Sequence, residues 1–211
     1  MGLIDWLSDN YIEIFGAVAG ILYVIFEIRQ NIWLWPVGIA TSAVYIWIFF
    51  TSKFYADMSL QGYYLVISIL GWYWWIRRMN GRGGEGEKGR KKEGESENEN
   101  EDKRLRVSRL KLRTGIVLTV VFSILIAVMW LVLDRFTDSP VPGWDSFITS
   151  LSIIATWMLA RKIYEHWYLW IVVNTASVIL FYTRGLYPTV VLYIIYCGMS
   201  FVGLREWKRS L

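Results

Sequence analysis

The sequence has almost none of the side chains with which enzymes hold metals or form covalent intermediates. Its 211 residues include one histidine, His166, and one cysteine, Cys197. A metal site of the usual kind, a disulfide or a Cys–His pair needs at least two such residues, so one chain cannot build any of them. The sequence therefore predicts no metal, no other cofactor and no enzyme activity.

Charged residues are missing from five long stretches of the chain. A helix needs roughly 20 apolar residues to cross a bilayer. The stretches of about this length are Asn31–Phe50, Met58–Ile76, Thr114–Leu133, Trp167–Thr183 and Gly185–Leu204. Tyr11–Ile28, with Glu13 and Glu27 near its ends, and the shorter Ser146–Ala160 are two further candidates. With 55% apolar residues and 13 tryptophans, the sequence predicts an all-α membrane protein with seven transmembrane helices.

More than half of the charged residues are concentrated in one segment, residues 77–113. This segment contains 13 of the 22 lysine and arginine residues and 8 of the 18 acidic residues. Within it, residues 81–102 contain no apolar side chain, so we expect a largely disordered linker. The net charge of +4 therefore describes this linker, and it does not indicate a nucleic-acid partner.

The basic residues are unevenly distributed between the two sides of the predicted bundle. With the N-terminus outside, 19 lysines and arginines fall in cytoplasmic segments and 3 fall in external ones. Membrane proteins carry such an excess on the cytoplasmic side. We therefore predict an external N-terminus, a cytoplasmic C-terminus and a cytoplasmic linker.

The beginning and the end of the sequence share several landmarks in the same order. The pairs are Tyr64 with Tyr196, Gly71 with Gly203 and Trp75 with Trp207, 132 positions apart, and Trp35 with Trp170 and Ser42 with Ser177, 135 positions apart. A short indel would reconcile the two separations. We therefore predict a parallel 3+1+3 repeat, in which a single extra helix restores the direction of the second three-helix unit. The units are residues 1–76, the linker 77–113, a linking helix at 114–134 and a second unit at 135–211.

Trp167, Trp170 and Asn174 are the strongest candidates for a binding site. Their spacing of i, i+3 and i+7 places them on one face of a helix. Two indole rings and a carboxamide can hold a flat cationic ring, because the face of an indole attracts a cation. The alternative is that they are two interfacial tryptophans and an asparagine bonded to a neighbouring helix, and the spacing alone favours this alternative.

Titratable residues near the ends of the predicted helices indicate a binding site less strongly than Trp167, Trp170 and Asn174 do. Glu13, Glu27 and His166 fall at predicted membrane boundaries, and we interpret them as boundary residues. The other predicted helices contain no carboxylate of the kind that proton-coupled transporters use. We therefore expect transport, if it occurs, to be independent of an ion gradient.

Several motifs of the sequence resemble the PnuC family of vitamin transporters. They are Asn31–Ile39, Lys53–Gln61 and Gly71–Trp75 in the first half, and Trp144-Asp145, Trp167-x-x-Trp170-x-x-x-Asn174 and Gly185–Tyr187 in the second half. Together they extend over nearly the whole chain outside the linker. The resemblance implies a 3+1+3 fold related to the SWEET sugar transporters. It also implies facilitated diffusion of nicotinamide riboside, which a cytoplasmic kinase then traps by phosphorylation.

The resemblance also implies which residues bind the substrate. They are Trp167, Trp170 and Asn174 from the aromatic–amide motif, Gln61 from the third helix, Trp35 from the first-half motif, and Thr156. Thr156 departs from the family motif, since nicotinamide riboside transporters of the family have Ala-Gln where this chain has Ala155-Thr156.

Two ligands and a second class of function follow as alternatives. Nicotinamide riboside is the expected ligand and thiamine the second, since some relatives carry thiamine and both molecules contain a flat cationic ring. A membrane sensor or receptor that docks a partner through the linker is the alternative from another class. It is disfavoured by the predicted repeat, because alternating access uses two similar halves. The resemblance further implies the bacterial inner membrane and a homo-oligomer, expected to be a trimer.

Overall fold

The computed structural model describes residues 11–51, 55–80, 107–136 and 141–211, and these residues form seven α-helices. The helices are α1 (Tyr11–Ile28), α2 (Leu34–Thr51), α3 (Tyr55–Asn80), α4 (Leu112–Phe136), α5 (Pro142–Ala160), α6 (His166–Thr183) and α7 (Tyr187–Lys208). By length and composition alone, α4 and α7 are the two described helices that could each cross a membrane, and α1 and α2 contain shorter apolar stretches. The prediction of an all-α fold with seven helices is confirmed.

Two predicted helix starts are shifted for local reasons. The side-chain oxygen of Asn31 accepts a hydrogen bond of 3.0 Å from the backbone nitrogen of Trp33, which forms a turn. The second helix therefore starts at Leu34 rather than at Asn31. The fifth helix starts at Pro142 rather than at Ser146, because the fixed φ of proline suits the first turn of a helix.

The turns after α1 and α5 have the same unusual backbone conformation. Gln30 and Lys162 follow these helices with φ values of 51° and 55°. This left-handed conformation commonly ends a helix, although glycine is the residue that usually adopts it. The side chains of the two residues also meet, since Lys162 Nζ donates a hydrogen bond of 3.0 Å to Gln30 Oε1.

The helices α1–α3 and α5–α7 are packed in the same order. In each group the second helix contacts the first and the third, and the groups meet where α1 contacts α7 and where α3 contacts α5. Among the described helices, α4 packs against α5 alone, and none of its residues is buried. This arrangement is compatible with two similar halves, while the parallel repeat and the orientation in the membrane stay predictions.

Four tryptophans fill the end of the bundle where α1 and α5 finish. Trp35, Trp75, Trp167 and Trp207 each expose at most 2% of their surface, and we call them the tryptophan cluster. Trp35 meets Trp75 edge to face with ring centroids 5.3 Å apart, and Trp167 meets Trp207 in the same way at 5.9 Å. The cluster therefore closes this end with buried aromatic rings.

The contacts of Trp35 recur at Trp167 and not at Trp170. A Cβ atom added to Gly71 would overlap the ring of Trp35, and one added to Gly203 would overlap the ring of Trp167. Only glycine lets an indole ring approach a helix this closely. The alignment of Trp35 with Trp170 was therefore wrong, and these contacts recur at the single separation of 132 positions.

The last residues of the predicted linker are part of the folded structure. Val107 is buried and packs against the core that contains the tryptophan cluster. The backbone nitrogen of Ser108 donates to the Lys162 oxygen, and the nitrogen of Tyr164 donates to the Ser108 oxygen, both at 2.9 Å. This short segment is therefore held against the turn between α5 and α6.

The predicted linker, residues 77–113, is consequently too long at both ends. Helix α3 continues to Asn80, and residues 107–113 comprise the docked segment and the start of α4. The disorder predicted for residues 81–102 falls outside the described residues.

Candidate binding cavity

A cavity of about 340 Å³ lies between the two groups of helices and borders the tryptophan cluster at Trp167. Six helices line it, namely all the described helices except α4. The volume falls in the range of small-molecule sites, about 300–1,000 Å³. Besides the residues discussed below, five tyrosines bring hydroxyl groups to the wall: Tyr23, Tyr45, Tyr64, Tyr193 and Tyr196.

Trp167 and Trp170 bring two indole groups to the cavity wall from the first turns of α6. Their buried indole nitrogens have no hydrogen-bond partner within the described residues. A buried tryptophan N–H normally finds an acceptor, because leaving it unpaired costs free energy. The ring faces of these two indole groups in the wall can attract a cation.

Asn174 lies one turn further along α6 and also lines the cavity. Its Nδ2 donates a hydrogen bond of 3.1 Å to Ser200 Oγ on α7. The Ser200 hydroxyl in turn donates 2.8 Å to the backbone oxygen of Tyr196. This chain of bonds fixes the orientation of the carboxamide, whose oxygen can accept a hydrogen bond from a ligand.

Gln61 and Thr156 are both in the cavity wall, on α3 and α5. The hydroxyl of Thr156 donates 2.8 Å to the backbone oxygen of Ser152 on its own helix. Such a bond satisfies the hydroxyl locally. Thr156 therefore contributes mainly to the shape of the wall, whereas Gln61 offers a second carboxamide.

Trp35 does not line the cavity, in contrast to the expectation from the sequence. Its ring is fully buried, lies against Gly71 and is in contact with Trp75. The corresponding ring in the other group, Trp167, does reach the wall. Trp35 is therefore not a binding residue of this cavity, because its ring packs in the protein interior.

Glu27 and His166 lie at helix ends, as the sequence predicts, but their side chains are buried in the protein rather than interfacial. Glu27 exposes 2% of its surface and His166 exposes none. His166 Nε2 lies 3.1 Å from Glu27 Oε1, and the two residues are 139 positions apart in the sequence. Glu27 lines the cavity. A buried carboxylate needs a partner to offset its lost hydration, and the histidine supplies one.

A faint sequence signal could have identified Glu27. Gly16, Gly20, Tyr23 and Glu27 follow helical spacing on α1, and all four line the cavity. Glu27 thus continues a face of small and polar residues rather than ending a lipid-facing helix. No comparable signal indicated that His166 would be its partner.

The side chains in the cavity wall are of the kinds that bind small molecules. Its wall combines indole rings, hydroxyl groups, two carboxamides and one carboxylate. Within the described residues, no group of three or more histidines, cysteines or carboxylates is placed to hold a metal ion. The arrangement fits recognition of a small, flat, polar ligand.

Comparisons with known proteins agree that the similar proteins are transporters. The family model described as "Nicotinamide mononucleotide transporter" matches residues 10–209. The chain is 28% identical over 206 residues to the nicotinamide riboside transporter PnuC of Escherichia coli (strain K12). The aligned residues cover 95% of this chain and 86% of that protein. The chain is 21% identical over 204 residues to the riboflavin/roseoflavin transporter RibM of Streptomyces davaonensis, covering 95% and 87%.

The fold also matches a solved structure. The crystal structure of the vitamin B3 transporter PnuC superposes with a TM-score of 0.70, at 21% identity, and covers 98% of this chain and 84% of that one. This likeness shows that the seven-helix architecture is shared with a transporter.

Proposed function

The chain belongs to the nicotinamide mononucleotide transporter family, and we propose that it imports nicotinamide riboside by facilitated diffusion. Membership of this family makes it a multi-pass membrane transporter of a small vitamin-type molecule and not an enzyme. The observation that carries the proposal is that Trp167, Trp170 and Asn174 lie together in the wall of one cavity. The alternative of two interfacial tryptophans is disfavoured, since Trp167 is almost completely buried.

The cavity offers a complementary group for each part of nicotinamide riboside. The cationic pyridinium ring fits the indole faces of Trp167 and Trp170. The carboxamide of the ligand can exchange hydrogen bonds with Asn174 and Gln61. The tyrosine hydroxyl groups of the wall can exchange hydrogen bonds with the ribose hydroxyl groups. Thr156 supplies a wall of defined shape beside them.

The setting of the transporter completes the proposal. With an external N-terminus and a cytoplasmic C-terminus in a bacterial inner membrane, the tryptophan cluster lies at the cytoplasmic end and blocks the exit from the cavity. Two parallel three-helix halves then alternate access to the site. Phosphorylation by a cytoplasmic kinase traps the imported molecule. Assembly into a trimer stays an expectation from the family resemblance.

Thiamine is the second candidate ligand, for a reason at one position. The hydroxyl of Thr156 is bonded to its own helix, so this position offers no carboxamide to a nicotinamide group. The thiazolium ring of thiamine carries a single positive charge and fits the same indole faces. A sensor or receptor is not retained as an alternative, because the family is one of transporters.

A titration of purified protein ranks the two ligands. The quenching of tryptophan fluorescence is measured as nicotinamide riboside or thiamine is added to separate samples. We expect saturable quenching by both, with the lower Kd for nicotinamide riboside. A lower Kd for thiamine would reverse the order, and binding of neither would exclude the proposed substrate class.

A further inference from the structure

We propose that Glu27 selects for positively charged substrates and that His166 holds its carboxylate in place for this role. The inference rests on the proposed function in one respect, namely that the substrate carries a cationic ring. It assigns the recognition of charge to a carboxylate on α1, in addition to the indole rings on α6. Glu27 is the single formally charged side chain among the described residues that line the cavity.

The hydrogen bonds of His166 determine where its protons lie. Nδ1 is 2.7 Å from the backbone oxygen of Ile163, and since a carbonyl can only accept, Nδ1 carries a proton. Nε2 is 3.1 Å from Glu27 Oε1. A lone pair on each of these two atoms would repel, so one further proton is shared between them.

This proton makes the pair neutral as a whole but polar in a defined direction. With the proton on Nε2, the histidine is positive and the carboxylate is negative. Glu27 is part of the cavity wall, whereas His166 is not, so the negative end borders the cavity. A cation in the cavity therefore stabilises the charged form of the pair, and a neutral ligand of the same shape does not.

The surroundings of the pair keep this geometry fixed. Trp207 Nε1 donates a hydrogen bond of 3.0 Å to the backbone oxygen of Glu27. The ring of His166 lies between Trp167 and Trp207, with centroids 4.8 and 4.6 Å away. The nearby cation of Lys162 is directed elsewhere, since its Nζ lies 4.2 Å from the centre of the Trp75 ring and bonds to Gln30.

The test compares a cationic ligand with its neutral isostere. The probes are nicotinamide riboside and benzamide riboside, in which carbon replaces the charged ring nitrogen. We expect wild-type protein to bind the cation more tightly. Glu27→Gln preserves the size and hydrogen bonds of the side chain, and it should lower this preference several-fold, because it removes the negative end of the pair that borders the cavity.

Three further variants make the result specific. Glu27→Asp keeps the charge and should keep most of the preference. His166→Gln can still donate a hydrogen bond to the carboxylate and should retain a preference for the cation, whereas His166→Leu removes the donor and should lose the preference. Glu206→Gln changes an exposed carboxylate outside the cavity and should have no effect.

The outcomes separate this inference from the proposed function. If wild-type protein binds nicotinamide riboside but Glu27→Gln, folded as judged by size-exclusion chromatography, retains the full preference for the cation, the role of Glu27 is refuted and the function stands. If wild-type protein binds neither riboside, the proposed substrate is refuted together with this inference. A preference that falls in Glu27→Gln and persists in Glu27→Asp supports the proposal.

Discussion

Two glycines that support equivalent tryptophans provide a sharp test of which ring belongs to the binding site. Gly203 faces the ring of Trp167, which lines the cavity, and Gly71 faces the ring of Trp35, which does not. Replacing each glycine by alanine perturbs the two rings in the same way. We expect both variants to be less stable, and only Gly203→Ala to lose affinity for the substrate.

The structure sets the size of the two perturbations. A new Cβ at either glycine would have three ring atoms within about 2.7 Å, whereas carbon atoms in contact are about 3.5–4.0 Å apart. Each ring must therefore move by about 1 Å in a fully buried cluster. Overpacking of this kind costs about 1–3 kcal/mol, partly offset by the gain of about 1 kcal/mol from alanine in a helix.

The assay combines thermal unfolding with ligand titration on the same purified variants. Gly198→Ala, on the same helix as Gly203, is the control, since its Cβ would meet nothing within 4 Å. It should be as stable as wild type or slightly more stable and should bind normally. An equal loss of affinity in Gly71→Ala and Gly203→Ala, or unchanged binding in Gly203→Ala, would refute the assignment of Trp167 to the site.

Three further variants test other parts of the description. Asn174→Leu should abolish binding while the protein stays folded, because a hydrogen bond between membrane helices contributes only about 0.6 kcal/mol on average; binding that survives, checked by titration, would make Asn174 structural. Trp170→Phe keeps an aromatic ring with weaker attraction for cations, so titration should show a larger loss of affinity for nicotinamide riboside than for benzamide riboside; equal losses would exclude cation recognition by this ring. Deletion of residues 81–102 should leave thermal stability and uptake nearly unchanged, whereas Val107→Asp should destabilise the protein by about 2 kcal/mol or more, because it buries a charge beside the tryptophan cluster. A large loss of thermal stability on deletion, with little loss in Val107→Asp, would show that the linker itself supports the fold.

The helices, and the face of α6 that carries Trp167, Trp170 and Asn174, could be predicted from the sequence for physical reasons. A membrane helix must satisfy its backbone polar groups internally, so long uncharged stretches indicate helices directly. The spacing of Trp167, Trp170 and Asn174 fixes their common face whatever the tertiary structure. The structure then adds that this face borders the cavity.

The remaining features depend on contacts between distant parts of the chain. Glu27 resembled a boundary residue because its partner, His166, lies 139 positions away. Trp35 belongs to a motif like that of Trp167, but the packing of the bundle places only the ring of Trp167 in the cavity wall. The docking of Val107 likewise follows from a turn more than 50 residues later in the chain. Periodicity in one sequence carries no information about such pairings.

Uptake into proteoliposomes that contain only this protein tests the central claim most directly. Labelled nicotinamide riboside is supplied outside, and its internal concentration is followed with and without an imposed proton or sodium gradient. Facilitated diffusion predicts saturable entry that stops when the internal and external concentrations are equal, is unaffected by either gradient and is absent in Asn174→Leu. Absence of uptake by wild-type protein, or accumulation above the external concentration with no kinase present, would contradict the proposed function.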